Sequence, residues 1–277
     1  MRRRGGRFMR AFGFVSALSL ALAACAAPPA PVARGGAPER VVSLNLCTDE
    51  LLLLLGAPGQ IASVSHLARK QEETPLWREA RRHPGNDGSL AAAAAHRADL
   101  ILTMGGGGDR LGIASRLGVQ VVDLPYPQTI DDVMTSIGTV AAALGREAEG
   151  ASAIARIEAL RRSAPAAEVD ALWVGGGGRT VSAGGLEAQW MALAGLRQRQ
   201  VSGDRIELEE LLVRPPTVLL RSDYRANQYS QGQAWVNHPL ARAARGSRAV
   251  ATDGRRWTCM GPPLVDEIIR LRGELAA

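Results

Sequence analysis

Arg40-Val41-Val42-Ser43-Leu44, followed after a short gap by Thr48-Asp49-Glu50-Leu51-Leu52-Leu53-Leu54-Leu55, decides how the chain must be read. The first stretch is a β-branched strand. The second is a leucine-rich helix, with Thr48 placed as its N-cap and acids in its first turn to suit the helix dipole. It stops near Gly56-Ala57-Pro58. The same alternation repeats downstream. Ile61-Ala62-Ser63-Val64 is a second strand, and the turn-rich His83 to Gly88 leads to an alanine-rich helix from Ser89 to His96. Asp99 to Thr103 is a strand ending at Gly105, a helix spans Asp109 to Leu117, and Val119 to Val122 is another strand. This rhythm predicts parallel sheets covered by helices.

The middle of the chain differs. Thr129 to Arg162 is helical in pattern with a break at Leu144-Gly145, and strand-like runs return at Asp170 to Val174, Thr217 to Leu220 and Ala249-Val250. Helices are expected at Leu186 to Ala194, Leu208 to Val213 and Pro263 to Leu275. The predicted fold is therefore α/β, with two lobes built on central, mostly parallel sheets and joined by a long rigid helix. The expected boundaries are residues 39–145 for the N-terminal lobe, 146–163 for the inter-lobe helix and 164–277 for the C-terminal lobe.

Ahead of the body, five arginines before residue 11 precede a fourteen-residue apolar run from Ala11 to Ala24. That is shorter than the roughly 20 residues a spanning helix needs, and suits an export signal over residues 1–24. Leu22-Ala23-Ala24-Cys25 resembles a bacterial lipobox, which implies lipidation of Cys25 and an Ala/Pro-rich tether over residues 25–38. Of 33 Lys+Arg, five lie in the signal, leaving 28 against 27 Asp+Glu. With so small a net charge, and no basic run with interleaved aromatics, a nucleic-acid partner is excluded.

Cys47 and Cys259 remain once Cys25 is set aside. In an oxidising compartment they suit a disulfide, ahead of two buried thiols or soft metal ligands. The glycine runs at 105–108 and 175–178 are followed by neither Gly-Lys-Ser/Thr nor the spacing of a dinucleotide fingerprint, so they mark turns at strand ends. Thr180 to Gly184 lacks the first glycine of a nucleophile elbow, and His66, His83, His96 and His238 show no metal-ligand spacing. No metal site and no resident cofactor are predicted. An exported α/β hydrolase using Ser182 or Cys47 is the alternative reading.

The order of several segments resembles one family. Arg40 to Asn45 with Asp49-Glu50-Leu51, Ile61 to Ser65, Arg97 to Leu102, Leu117-Gly118-Val119 and Leu208 to Pro215 look like the periplasmic substrate-binding proteins of ABC importers for cobalamin and ferric siderophores. The resemblance implies a monomeric, non-catalytic, periplasmic lipoprotein. It would receive a pre-formed metal chelate in a cleft between the lobes and deliver it to a permease and ATPase complex. It also implies docking through one acid per lobe. Glu209 matches in the second lobe, whereas Ala91 stands at the matching place in the first, with Asp87 as the displaced candidate.

Ligands in such a fold sit at the carboxyl ends of the strands. That places Asn45, Cys47, Thr48, His66, Trp77, Gly105 and Tyr126 on one wall of the cleft, and Tyr224, Trp257 and Thr258 on the other. Planar or apolar chelates are gripped by aromatic faces, and Arg255 or Arg256 suits an anionic one. Capping of hydrophobic edges is the alternative reading for Trp77 and Trp257. A Cys47–Cys259 bridge would tie the two walls and rigidify the cleft.

Overall fold

A computed structural model describes residues 36–106, 112–116, 118–222, 238–239 and 246–276. The export signal, Cys25 with most of its tether, and Tyr224 lie outside them. Five strands form the first sheet in the order β3-β2-β1-β4-β5, all parallel: β1 Val41–Ser43, β2 Ile61–Ser65, β3 Gly85–Asn86, β4 Leu100–Met104 and β5 Gln120–Leu124. Val41 pairs with both Ile61 and Leu100, which makes β1 central. Its three residues are all buried, as a strand covered on both faces requires. Helices α1 Leu46–Leu55, α2 Trp77–Ala80, α3 Leu90–Ala95 and α4 Ile113–Arg116 complete this lobe.

The second sheet has the order β7-β6-β8-β9, again parallel, from β6 Val169–Val174, β7 Leu196–Gln198, β8 Val218–Ser222 and β9 Arg248–Thr252. Helices α7 Leu186–Leu193, α8 Leu208–Val213, α9 Gly254–Cys259 and α10 Pro263–Ala276 surround it. The two short edge strands β3 and β7 and the helix α9 go beyond what the sequence predicts. Each is six residues or fewer, too short for periodicity to register.

The connecting helix expected over residues 146–163 is α6 Glu147–Arg162, and across the expected break at Leu144-Gly145 it is paired with α5 Ile130–Leu144. Gly145 at φ 66°, a conformation most residues avoid, ends α5 and reverses the chain. The two helices then run antiparallel. Asp131 meets Arg161 at 2.8 Å, the Ile154 side chain lies beside Gly138, and a side chain on Gly150 would collide with the Ala141 methyl. Only glycine permits that approach.

This hairpin is fastened to both lobes. Gln60 Nε2 donates to Leu144 O at 3.0 Å and Arg146 Nε to Leu55 O at 3.3 Å, which fixes the far end to the first lobe. Gln189 of α7 accepts from Ile130 N and donates to Gln128 O, which fixes the near end to the second. Arg272 of α10 donates to Leu160 O, Ser163 Oγ and Leu193 O. Ile137, Leu144, Ile157, Trp190 and Leu264 belong to one hydrophobic cluster that also contains Val41 and Leu220. The lobes thus share a continuous core, and large hinge motions would expose it.

Candidate functional site

The carboxyl ends of both sheets are where the two lobes face each other. In the first sheet the strand order reverses between β1 and β4, and in the second between β6 and β8, the places where α/β sheets open a crevice. The first lobe's rim is held by a network of short polar side chains. Asn45 caps α1 by accepting from Thr48 N at 3.1 Å, and its Nδ2 reaches Thr103 Oγ1 and Met104 O at 3.4 Å. Helix α1 therefore begins three residues earlier than the sequence suggests, with Asn45 rather than Thr48 as its cap. Both are good caps, and the earlier one satisfies the amide of the later.

Cys47 and Cys259 are joined by a disulfide, with Cα atoms 5.1 Å apart across 212 positions of sequence. The bridge binds α1 of the first lobe to α9 of the second. Beside it, Arg255 Nη1 donates to Gln71 O of the β2–α2 connection at 2.9 Å. Arg255 otherwise forks onto Asp253, and Arg256 spends itself on Asp253 and on Pro263 O at 2.6 Å. Neither arginine is therefore the free anion holder that the sequence suggested. Their internal partners make them struts between and within the lobes.

The predicted wall residues fall into two groups. Asn45, Cys47, His66, Gly105, Tyr126 and Thr258 lie at or next to strand or helix ends with some accessible surface. Tyr126 is 66% exposed, and its ring lies over Gly105, where a Cβ would sit 2.7 Å from ring atoms. Gly105 at φ 100° provides the flat floor on which that ring rests. Trp77 is half-buried, with the guanidiniums of Arg78 and Arg81 at 4.4 and 4.7 Å from its ring centre. Its π system already has cations as neighbours.

Two residues do not face a ligand. Thr48 is fully buried, its hydroxyl bonded to Ser43 Oγ and Asn45 Oδ1. Trp257 is 5% exposed, donates its indole N–H to Thr252 Oγ1 at 2.7 Å, and meets Trp173 edge to face at 6.4 Å. It belongs to the core because Asp253 caps α9 and turns a supposed loop into a helix. Glu209 stands exposed in the first turn of α8, near the exposed Leu212 and Val213. In the first lobe, Asp87 and Ala91 are both exposed, and Asp87 accepts from Ser89 N.

Asp49 and Glu50 are what the sequence reading missed. The sequence suggests only first-turn acids serving the dipole, yet both are buried. Asp49 accepts from Ser65 N and Oγ at 2.9 and 2.5 Å; burial pushes its carboxyl up to about 6 against those bonds. Burial likewise pushes Glu50 up to about 7, opposed by the Thr74 hydroxyl bond, raised further by Asp49 and lowered by Arg256. The signal was present: a helix apolar nearly all round has no wet face to offer its acids. Glu50 and the disulfide line a small, mainly apolar pocket between α1, α5 and the α9–α10 turn.

This architecture, two parallel-sheet lobes with a stiff helical connection between them, is similar in fold to solved periplasmic binding proteins. Three solved structures show the likeness. The periplasmic heme-binding protein BhuT in complex with two hemes superposes with a TM-score of 0.65 at 21% identity, over 87% of this chain and 98% of that one. The periplasmic vitamin B12 binding protein BtuF of Vibrio cholerae gives 0.60 at 17%, over 86% and 97%. The siderophore binding protein BauB, bound to two molecules of acinetobactin and ferric iron, gives 0.66 at 14%, over 86% and 94%. No family model and no curated protein sequence matches the chain.

Proposed function

We propose that the protein is the solute-binding component of an ABC importer, exported and tethered to a membrane through Cys25. It captures a pre-formed metal chelate, a ferric siderophore or a corrinoid ahead of haem, and hands it to a permease and ATPase complex. The observation that carries this is the two-lobed fold itself, matched nearly end to end by proteins whose ligands are chelates. The stiff coupling of the lobes supports it, because a preformed cleft spends little of its binding energy on ordering. The metal comes wrapped, so the cleft supplies shape, the Tyr126 ring and polar rims such as Asn45. Among the described residues, no group of three or more potential ligands could hold a bare ion.

Export agrees with the disulfide. Attachment is through the lipid on Cys25; among the described residues no helix is long and apolar enough to cross a membrane. Delivery uses Glu209 on the second lobe and Asp87 on the first, both exposed acids near helix starts. The protein carries out no catalysis. Cys47 has its sulfur in the bridge and offers no thiolate, and the Ser182 hydroxyl accepts from Gly184 N within its own turn.

The test is tryptophan quenching against hemin, cyanocobalamin and ferric trihydroxamates, with native mass spectrometry of the protein from its own host. One chelate should quench at submicromolar concentration and co-purify at its own mass. Turnover of a general ester that Ser182→Ala abolishes, with no chelate bound, would overturn the proposal.

A further inference from the structure

Arg255 and Arg256 are spent on internal partners, and so is Arg82, which meets Glu79 at 2.6 Å. Three arginines close to Arg82 in the chain are not. Among the described residues Arg78 has the Trp77 ring as its partner and no carboxylate. Arg81 stacks on the same ring and adds one hydrogen bond, from Nε to Arg69 O at 2.9 Å. Arg69 Nε is buried and has no acceptor, and its guanidinium lies against β3, where a Cβ on Gly85 would stand 2.6 Å from Nη1.

We propose that Arg69, Arg78 and Arg81 form a binding site for a phosphate-type oxyanion, with Trp77 as the plate that holds two of the guanidiniums. The site goes beyond chelate capture and does not depend on it. A guanidinium stacked on an indole uses its flat face and keeps its in-plane N–H donors for an oxyanion. The central carbons of Arg78 and Arg81 stand 4.4 and 4.7 Å from one ring centre, so they are no more than about 9 Å apart, a gap one phosphate spans with charge-assisted hydrogen bonds of about 2.8 Å. Two like charges so close repel, and an anion between them removes that cost. The unpaired Arg69 Nε carries a desolvation cost of its own, which an acceptor relieves.

The neighbouring acids leave the cluster positive. Glu79 is engaged by Arg82 and stands 4.0 Å from His83, and Glu73 is buried. Glu72 is half-buried, and the exposed Lys70 offsets its charge. Three guanidiniums offer more donors than the two oxygens of a carboxylate accept, which favours a phosphate with its further oxygen. Inorganic phosphate and a phospholipid headgroup both present that chemistry.

The test uses the full, oxidised protein with nitrogen-15-labelled arginine. Inorganic phosphate replaces chloride at constant ionic strength, and the Nε–H signals are followed by NMR. Those of Arg69, Arg78 and Arg81 should shift and saturate in the millimolar range, as exposed charge contacts allow, while that of Arg82 stays put. Arg78→Gln/Arg81→Gln should raise the half-saturation point about tenfold, read on the Arg69 signal, at about threefold for each exposed contact. Trp77→Ala should weaken binding as well, and Trp77→Phe, which still offers a flat face, should restore it to within twofold. A second arm replaces phosphate with dihexanoyl phosphatidylglycerol below its micelle concentration. Saturation at lower concentration than phosphate makes a headgroup the ligand, and the reverse makes it the free anion. Shifts that never saturate, that Arg82 shares, or that survive the double substitution unchanged in both arms would overturn the site.

Discussion

At the back of the cleft the lobes meet through α5 and α6, where Ile137, Val140, Leu144, Ile157 and Leu160 are all buried and the polar contacts lie at the helix ends. At its floor they meet through α1 and α9, where a disulfide, an arginine donating across the gap to Gln71 O and two buried acids share a small space. The back is an ordinary core extended between two sheets. The floor buries two carboxyls and is joined by a covalent bond. That contrast explains why the costly groups are tolerated: a seam fixed elsewhere can afford carboxyls that would otherwise repel water-poor surroundings.

Removing the covalent bond should have the largest effect. The bridge closes a loop of more than 200 residues, and constraining the unfolded chain that much stabilises by about 3–5 kcal/mol. Equilibrium denaturation of the oxidised protein against Cys47→Ser/Cys259→Ser should show that loss. A loss under about 1 kcal/mol would show that the hairpin alone holds the lobes, and the floor would then be an accessory to the back.

The acids sharpen the comparison next. Buried Asp49 and Glu50 keep protons, to about pH 6 and about pH 7, that an unfolded chain with ordinary carboxyls has released. Unfolding in that interval releases protons, so stability falls as pH rises from about 4.5 towards 7 and levels off above. For Glu50 the limit is about 3 kcal/mol, by the usual conversion of a pKa change. His83, held below its ordinary value chiefly by burial, works in the opposite direction, since its stabilisation is lost as pH falls. The difference between native protein and Glu50→Gln therefore isolates the floor. The variant should gain stability at pH 8 and lose about half of the slope, the rest belonging to Asp49. An unchanged slope would mean that Glu50 is ionised and solvated, and the floor would be no less wet than the rims.

What the sequence disclosed follows the same division. The parallel sheets were legible because Val41-Val42, Ile101-Leu102 and Leu172-Trp173-Val174 are apolar without alternation, as strands covered on both faces must be. The back was legible as helix, but not its reversal at Gly145. One glycine in a helical pattern reads as a weak point until a partner such as Gly150 shows how closely the two helices pack. The floor was mostly illegible. The Cys47–Cys259 pairing, the leading reading of the two cysteines, holds, but local pattern does not report which side of a helix meets the core, so it puts Trp257 and Thr48 on the wall. Glu50 was passed over because an acid in a first helical turn ordinarily needs no explanation; only the absence of a polar face on α1 argued otherwise.

The smallest test returns to the back. Thr129 caps α5 in a reciprocal capping box: its hydroxyl accepts from Asp132 N at 3.1 Å while Asp132 accepts from Thr129 N at 2.9 Å. The same aspartate also accepts from Gln128 N, and these bonds hold its carboxyl below the ordinary range. Thr129→Ala should cost about 1 kcal/mol in equilibrium denaturation, the usual loss for a cap. The informative part is what does not change. Because α5 is also held by Gln189, Gln60 and the shared core, the lobes should keep their spacing, and chelate affinity should stay within twofold of the native value. If affinity instead fell with stability, α5 would be transmitting its fraying to the floor through Val133 and Ser136, and the two seams would no longer count as independent.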